Sequence, residues 1–145
     1  MRPQELARTL ESIVLSAEKE FTSACYDWDT KPTPNKWSKK EILGHLNDSA
    51  LNNIQRFVRI QHEDQTNIFY DQDFWVQACN YQNLSRENIQ NLWKLNNLHI
   101  VNVWENIDEK LLSRTIPVKD EEPSLLFLME DYIDHLNHHL KQIRR

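Results

Sequence analysis

The stretch Asp131-Tyr132-Ile133-Asp134-His135-Leu136-Asn137-His138-His139-Leu140-Lys141-Gln142-Ile143 decides how this chain is read. Tyr132, Leu136, Leu140 and Ile143 recur at intervals of three and four, the spacing of one apolar face of an α-helix. His135 and His139 stand four apart on the margin of that face, one turn above the other. Two imidazoles at this spacing turn their rings toward one point and can share a metal ion. The rest of the chain offers one good third ligand, His45, in Glu41-Ile42-Leu43-Gly44-His45-Leu46.

Composition supports helices elsewhere too. One Gly in 145 residues is too few for the tight turns of sandwiches or doubly wound folds. The expectation is an all-α chain of a few long helices, folded as a single domain over 1–145. A net charge of −5 disfavours the general attraction to phosphate backbones, so no nucleic-acid partner is expected. Cys25 and Cys79 show no CxxC spacing and are too few for a disulfide framework. No apolar run reaches the length of a membrane span and no leader pattern is visible, so the expected location is cytoplasmic, with no membrane partner.

Working outward from the C-terminal stretch, Ser124 caps its helix. A first helix over about Pro3–Cys25 carries Leu6, Leu10, Val14, Ala17 and Phe21 on one face. Ser38-Lys39-Lys40-Glu41 is a capping box, with Trp37 and Ile42 placed as a hydrophobic staple. It opens a second helix over about Ser38–Gln61. One, two and three turns on from His45 lie Ser49, Asn52 and Arg56, a polar strip that faces either water or an internal pocket. Gly44 costs this helix about 1 kcal/mol relative to Ala, and a close approach by another helix would explain it. Residues 62–84 form a long connection holding a short helix or turn around Trp75, under an aromatic-rich lid. A third helix over about Ser85–Asn106 carries Asn96 on an apolar face, where it hydrogen-bonds internally or borders a cavity.

Neutral imidazole suits zinc, nickel and their neighbours, and three such ligands leave open positions. They also leave the full double charge of the ion, which lowers the pKa of a bound water to about 7 and equally favours a thiolate. A ligating ring donates its other N–H to a carboxylate or carbonyl. Asp131, one turn before His135, is the first choice for that partner, and Asp48, three after His45, the second. Six histidines will also produce an H-x3-H pair by accident, and a lone helical His45 is ordinarily just a half-buried residue. His62, His99 and His138 read as structural or exposed.

Two segments together carry a family likeness: Lys36-Trp37-Ser38-x-x-Glu41-x-x-Gly44-His45-Leu46-x-Asp48-Ser49-Ala50 and Asp131-Tyr132-x-x-His135-x-x-x-His139-Leu140-x-Gln142-Ile143. They resemble the hallmark segments of the DinB/YfiT-like superfamily, and Asn53-x-x-Arg56-Phe57 and Trp75-x5-Tyr81 fit the same pattern. The resemblance implies a four-helix bundle of up-down-down-up topology, often a homodimer, with a divalent metal held by His45, His135 and His139.

The superfamily includes thiol S-transferases, a thiol-dependent isomerase and metal-dependent hydrolases. The expectation is therefore an enzyme in which a zinc or nickel ion activates a low-molecular-weight thiol or water against an electrophilic small-molecule substrate. Its pocket would be lined by Ser49, Asn52, Arg56, Trp75 and Asn96, with Arg56 as a clamp for a carboxylate. The alternative is a metal-carrying or ligand-sensing protein that acts without turnover, through ligand binding or a dimer partner.

Overall fold

The computed structural model describes residues 2–64 and 69–145, so part of the 62–84 connection, residues 65–68, lies outside the described residues. The described residues form five α-helices: α1 Pro3–Ser23, α2 Lys39–Arg59, α3 Gln72–Cys79, α4 Arg86–Glu105 and α5 Leu125–Ile143. Short 3-10 turns occupy Tyr81–Asn83 and Glu109–Leu111. Local chemistry sets these boundaries. Pro3 fits the first turn of α1, where its missing N–H costs nothing. The Ser38 hydroxyl accepts from the Glu41 amide at 3.2 Å and the Glu41 carboxylate accepts from the Ser38 amide at 3.0 Å, closing the capping box. Asp71, Ser85 and Ser124 cap α3, α4 and α5, each side chain accepting from the amide three residues on. α3 ends where Asn80 turns left-handed at φ 53°. The first helix stops at Ser23, two residues before the expected Cys25.

The long helices α1, α2, α4 and α5 form a four-helix bundle. α1 packs on α4 and α5, and α2 packs on the same two. Contacts along each seam give the directions. Gln4 reaches the Glu105 carbonyl while Glu18 pairs with Lys94, so α1 and α4 are antiparallel. Asn47 meets Asn96 and Phe57 meets Trp104, so α2 and α4 are parallel. Lys39 binds the Ile143 carbonyl and Phe57 packs on Tyr132, so α2 and α5 are antiparallel. Glu20 and Arg144 join the C-terminal ends of α1 and α5. The order is up-down-down-up, as the resemblance implied.

Two parallel neighbours in sequence require a connection that travels back along the bundle, about 30 Å for helices of this length. Within the described part of that connection, α3 and the following 3-10 turn pack on the flank of α2. As a result every residue from 41 to 50 is buried, polar ones included. The core is aromatic: Phe57 sits edge-on to Trp104 and Tyr132 at 5.2 and 5.6 Å, and Phe21 meets Trp28 at 5.1 Å. Gly44 lies under the Tyr81 ring, where a Cβ would overlap ring carbons. The close approach is therefore made by one side chain from the connection and not by another helix backbone. Among the described residues no helix is long and apolar enough to cross a membrane.

Candidate metal centre

The second turn of α2 and the C-terminal half of α5 meet because the two helices are antiparallel neighbours. That meeting brings His45, His135 and His139 together: one nitrogen from each lies within 4.8 Å of the other two. His45 Nε2 is 3.2 Å from His135 Nε2. Two nitrogens bound to one tetrahedral zinc at about 2.05 Å each would stand about 3.3 Å apart, so this pair already has the spacing of neighbouring ligands. The rings meet edge to face, with centroids 4.5 to 5.2 Å apart. His45 is fully buried, while His135 and His139 are half-buried and give the cluster one side toward the surface.

Neighbouring side chains fix the rings. Trp37 lies across His45 with centroids 4.9 Å apart, a role the staple reading did not assign. His139 Nδ1 donates to the Gln142 side-chain oxygen at 2.8 Å, which leaves Nε2 as the free lone pair. Gln142 stands in the second segment of the family likeness, where spacing puts it three beyond His139 but assigns it no role. Asp131 is exposed, and among the described residues no hydrogen bond joins it to His135. Its carboxyl is raised by burial and by Asp134, with Arg56 opposing. Exposed His62, His99 and His138 stand outside the cluster.

The polar strip on α2 turns inward. Ser49 is buried and hydrogen-bonds Tyr70, whose ring meets Trp75 at 5.9 Å. Arg56 is half-buried in the electrostatic reach of Tyr70 and Asp131, and with Phe69, Tyr70 and Lys119 it lines a cleft of about 470 Å³. Asn52 turns its amide back to the Asp48 carbonyl at 2.9 Å. Asn96 lies on the α2–α4 seam, donating to Asn47 at 2.8 Å and bordering a groove of about 270 Å³ with Ala50 and His99. So Ser49, Arg56 and Trp75 gather around Tyr70, and Asn96 sits in a different groove. A further cleft of about 470 Å³, lined by Trp37, Lys36, Lys39 and Gln142, abuts the residues that hold His45 and His139.

Burial, and then the neighbouring rings of His139 and His135, push the His45 pKa down to about 3. Burial, then the rings of His139 and His138, push His135 down to about 4. Burial also lowers His139, with the Gln142 hydrogen bond opposing and His138 adding to the shift. All three imidazoles are neutral near pH 7, the form a metal needs. Each folded-state pKa lies below the unfolded value near 6.5, so the unfolded chain binds more protons and stability is lost as pH falls below 6.5. Asp48 works in the opposite sense: burial pushes its carboxyl up to about 6, so it favours folding on acidification. Asp131, also raised, adds to this, and the three imidazoles outweigh the two carboxyls. The metal-free protein should therefore show a melting temperature that declines from pH 7 to pH 4.5 in calorimetry with chelator present. A flat or rising curve would contradict the buried, uncharged state of these rings.

A sequence model of the DinB superfamily matches residues 25–143, and the chain belongs to that superfamily. Among solved structures it is similar to YfiT from Bacillus subtilis, with a TM-score of 0.85 and 20% identity over 98% of this chain and 83% of that one. YfiT is described as "a probable metal-dependent hydrolase with an unusual four-helix bundle topology". At that identity the likeness establishes the shared fold. No curated protein matches the chain.

Proposed function

We propose that this chain is a divalent-metal enzyme in which His45, His135 and His139 hold one ion, zinc or nickel by donor type. The observation that carries this reading is the gathering of three uncharged imidazoles, with one nitrogen from each within 4.8 Å of the others. The donor set fits such an ion: all three ligands are neutral, and the bond from His139 Nδ1 to Gln142 presents the correct lone pair. When bound, the ion supplies a double positive charge that favours the ionised form of a water or thiol nucleophile.

The protein's own residues supply the rest. Trp37 covers the His45 ring, while the half-buried His135 and His139 leave an approach for small molecules. This open side favours turnover over mere metal carriage. Arg56, which lines a cleft with Tyr70, would hold an anionic group of the electrophilic substrate. The description of YfiT supports water as nucleophile, and other superfamily members support a low-molecular-weight thiol. Assay of the zinc- and nickel-loaded protein against a panel of esters, amides, epoxides and aryl halides, with and without thiols, separates these. Turnover is expected to vanish with chelator and return with metal. Dependence on thiol assigns transfer, and turnover without it assigns hydrolysis. A fully loaded protein that turns over nothing would point back to a non-catalytic metal carrier.

A further inference from the structure

Two buried polar atoms near the candidate metal centre lack a partner among the described residues: His45 Nδ1 and Asp48 Oδ2. Both side chains are 0% exposed. They are three apart on α2, on neighbouring positions of one helix face. Buried polar groups are costly unless hydrogen-bonded, so each needs a partner. Their chemistry is complementary. His45 turns Nε2 toward His135, so a ring ligating through Nε2 carries its hydrogen on Nδ1 and must donate it. Asp48 Oδ1 is already engaged, accepting from the Tyr81 hydroxyl at 2.5 Å and facing the Cys79 thiol at 3.8 Å. Oδ2 is the carboxylate's unused acceptor.

The other atoms in the same condition lie elsewhere. Trp93 Nε1 and Trp104 Nε1 belong to α4, where their rings pack with Phe21 and Phe57. Gln4 Oε1 belongs to the opposite end of the bundle, where its amide binds Glu105. Asp48 is also not a fourth ligand, since the group of converging donors comprises the three histidines alone among the described residues.

We propose that Asp48 is the positioning residue for His45, accepting the Nδ1–H through Oδ2, directly or through one buried water, when the three-histidine site is loaded. The inference rests on the three-histidine reading. It reverses the order of preference drawn from spacing alone, which put Asp131 first. Tyr81 extends the arrangement: its hydroxyl holds Oδ1 while its ring rests on Gly44, so the packing that excludes a side chain at position 44 also orients the carboxylate. Asn47 donates to the Tyr81 oxygen at 3.2 Å and receives from Asn96, anchoring the chain of bonds to α4.

The test measures zinc affinity by competition with a chromophoric chelator for the parent, Asp48→Asn, Asp131→Asn and His139→Ala chains, beside thermal melts of each metal-free form. Asp48→Asn is expected to weaken zinc binding roughly 10- to 100-fold, the usual effect of losing such a partner. Asp131→Asn should leave it within about twofold on the same basis. Parent-like affinity in Asp48→Asn, with binding lost in His139→Ala, would overturn this inference and leave the site intact. A parent that binds no zinc would overturn both. Ring 15N spectra of the zinc-loaded parent give a reading that needs no variant. His45 should show a protonated Nδ1 with a slowly exchanging, downfield hydrogen, and a solvent-exchanging or absent Nδ1–H would refute the bond even if Asp48→Asn does not fold.

Discussion

A His139→Ala chain purified beside the parent is expected to carry zinc or nickel at background level, where the parent carries about one ion per chain. The magnitude follows from sharing. Zinc binding by a four-ligand protein site is worth roughly 10–16 kcal/mol, or about 3 kcal/mol per ligand, which is about two orders of magnitude in Kd. His139 is the informative ring to remove because it is half-buried, so its loss opens the surface and not the core. His45 is fully buried beneath Trp37, and its loss would mix a packing defect with a ligand defect. The metal-free melting temperature of His139→Ala should stay close to the parent's, and zinc should raise the parent's alone. Equal metal content in both chains, measured by elemental analysis, would remove His139 from the ligand set.

The second large effect concerns Gly44. Helix propensity alone says that Gly44→Ala gains about 1 kcal/mol. The structure predicts the opposite sign, because the added Cβ would overlap the buried Tyr81 ring near its attachment point. The ring cannot move without lengthening its 2.5 Å bond to Asp48 and its 3.2 Å bond from Asn47. Overpacking costs about 1–3 kcal/mol and a weakened bond to a charged group about 1.5–3. The net expectation is a loss of about 2 kcal/mol, or roughly 4–8 °C in Tm for a chain of this size. In a Tyr81→Ala background the overlap disappears, and Gly44→Ala should become stabilising by about 1 kcal/mol. A single variant that melts at or above the parent would show that the ring yields freely.

Several features were readable from local chemistry. The capping box at Ser38, the caps at Ser85 and Ser124 and the apolar spacing of each long helix depend on residues within one or two turns of each other. These elements accordingly stand within a few residues of where periodicity put them. Around Trp75 the sequence left a short helix or a turn open, and the structure makes it the helix α3, capped by Asp71. The pairing of His135 with His139 is also local, since four residues on a helix make one turn.

Across helices the same spacings carried less. Asn96 fits the apolar face of α4 equally well toward either seam, and only packing sends it to Asn47. Trp37 looked like half of a staple, yet its ring lies across His45. Tyr81 and Gly44 are far apart in sequence, and no rule of spacing connects them. Asp131 looked better than Asp48 as a partner for a ligating ring because both are one turn from a histidine and burial is not visible in a spacing.

By itself, the amino-acid sequence determined the helices, their caps and the one-turn histidine pair, because hydrogen bonds and side-chain neighbours within a helix involve residues close along the chain. Tertiary structure alone decided that His45 meets that pair, that residues 41 to 50 are buried on every side, and that Asp48 rather than Asp131 faces inward. Each of these depends on α2 and α4 running parallel while α2 lies against α5 head to tail. Which faces are then removed from water is a property of the assembled bundle and not of any one helix.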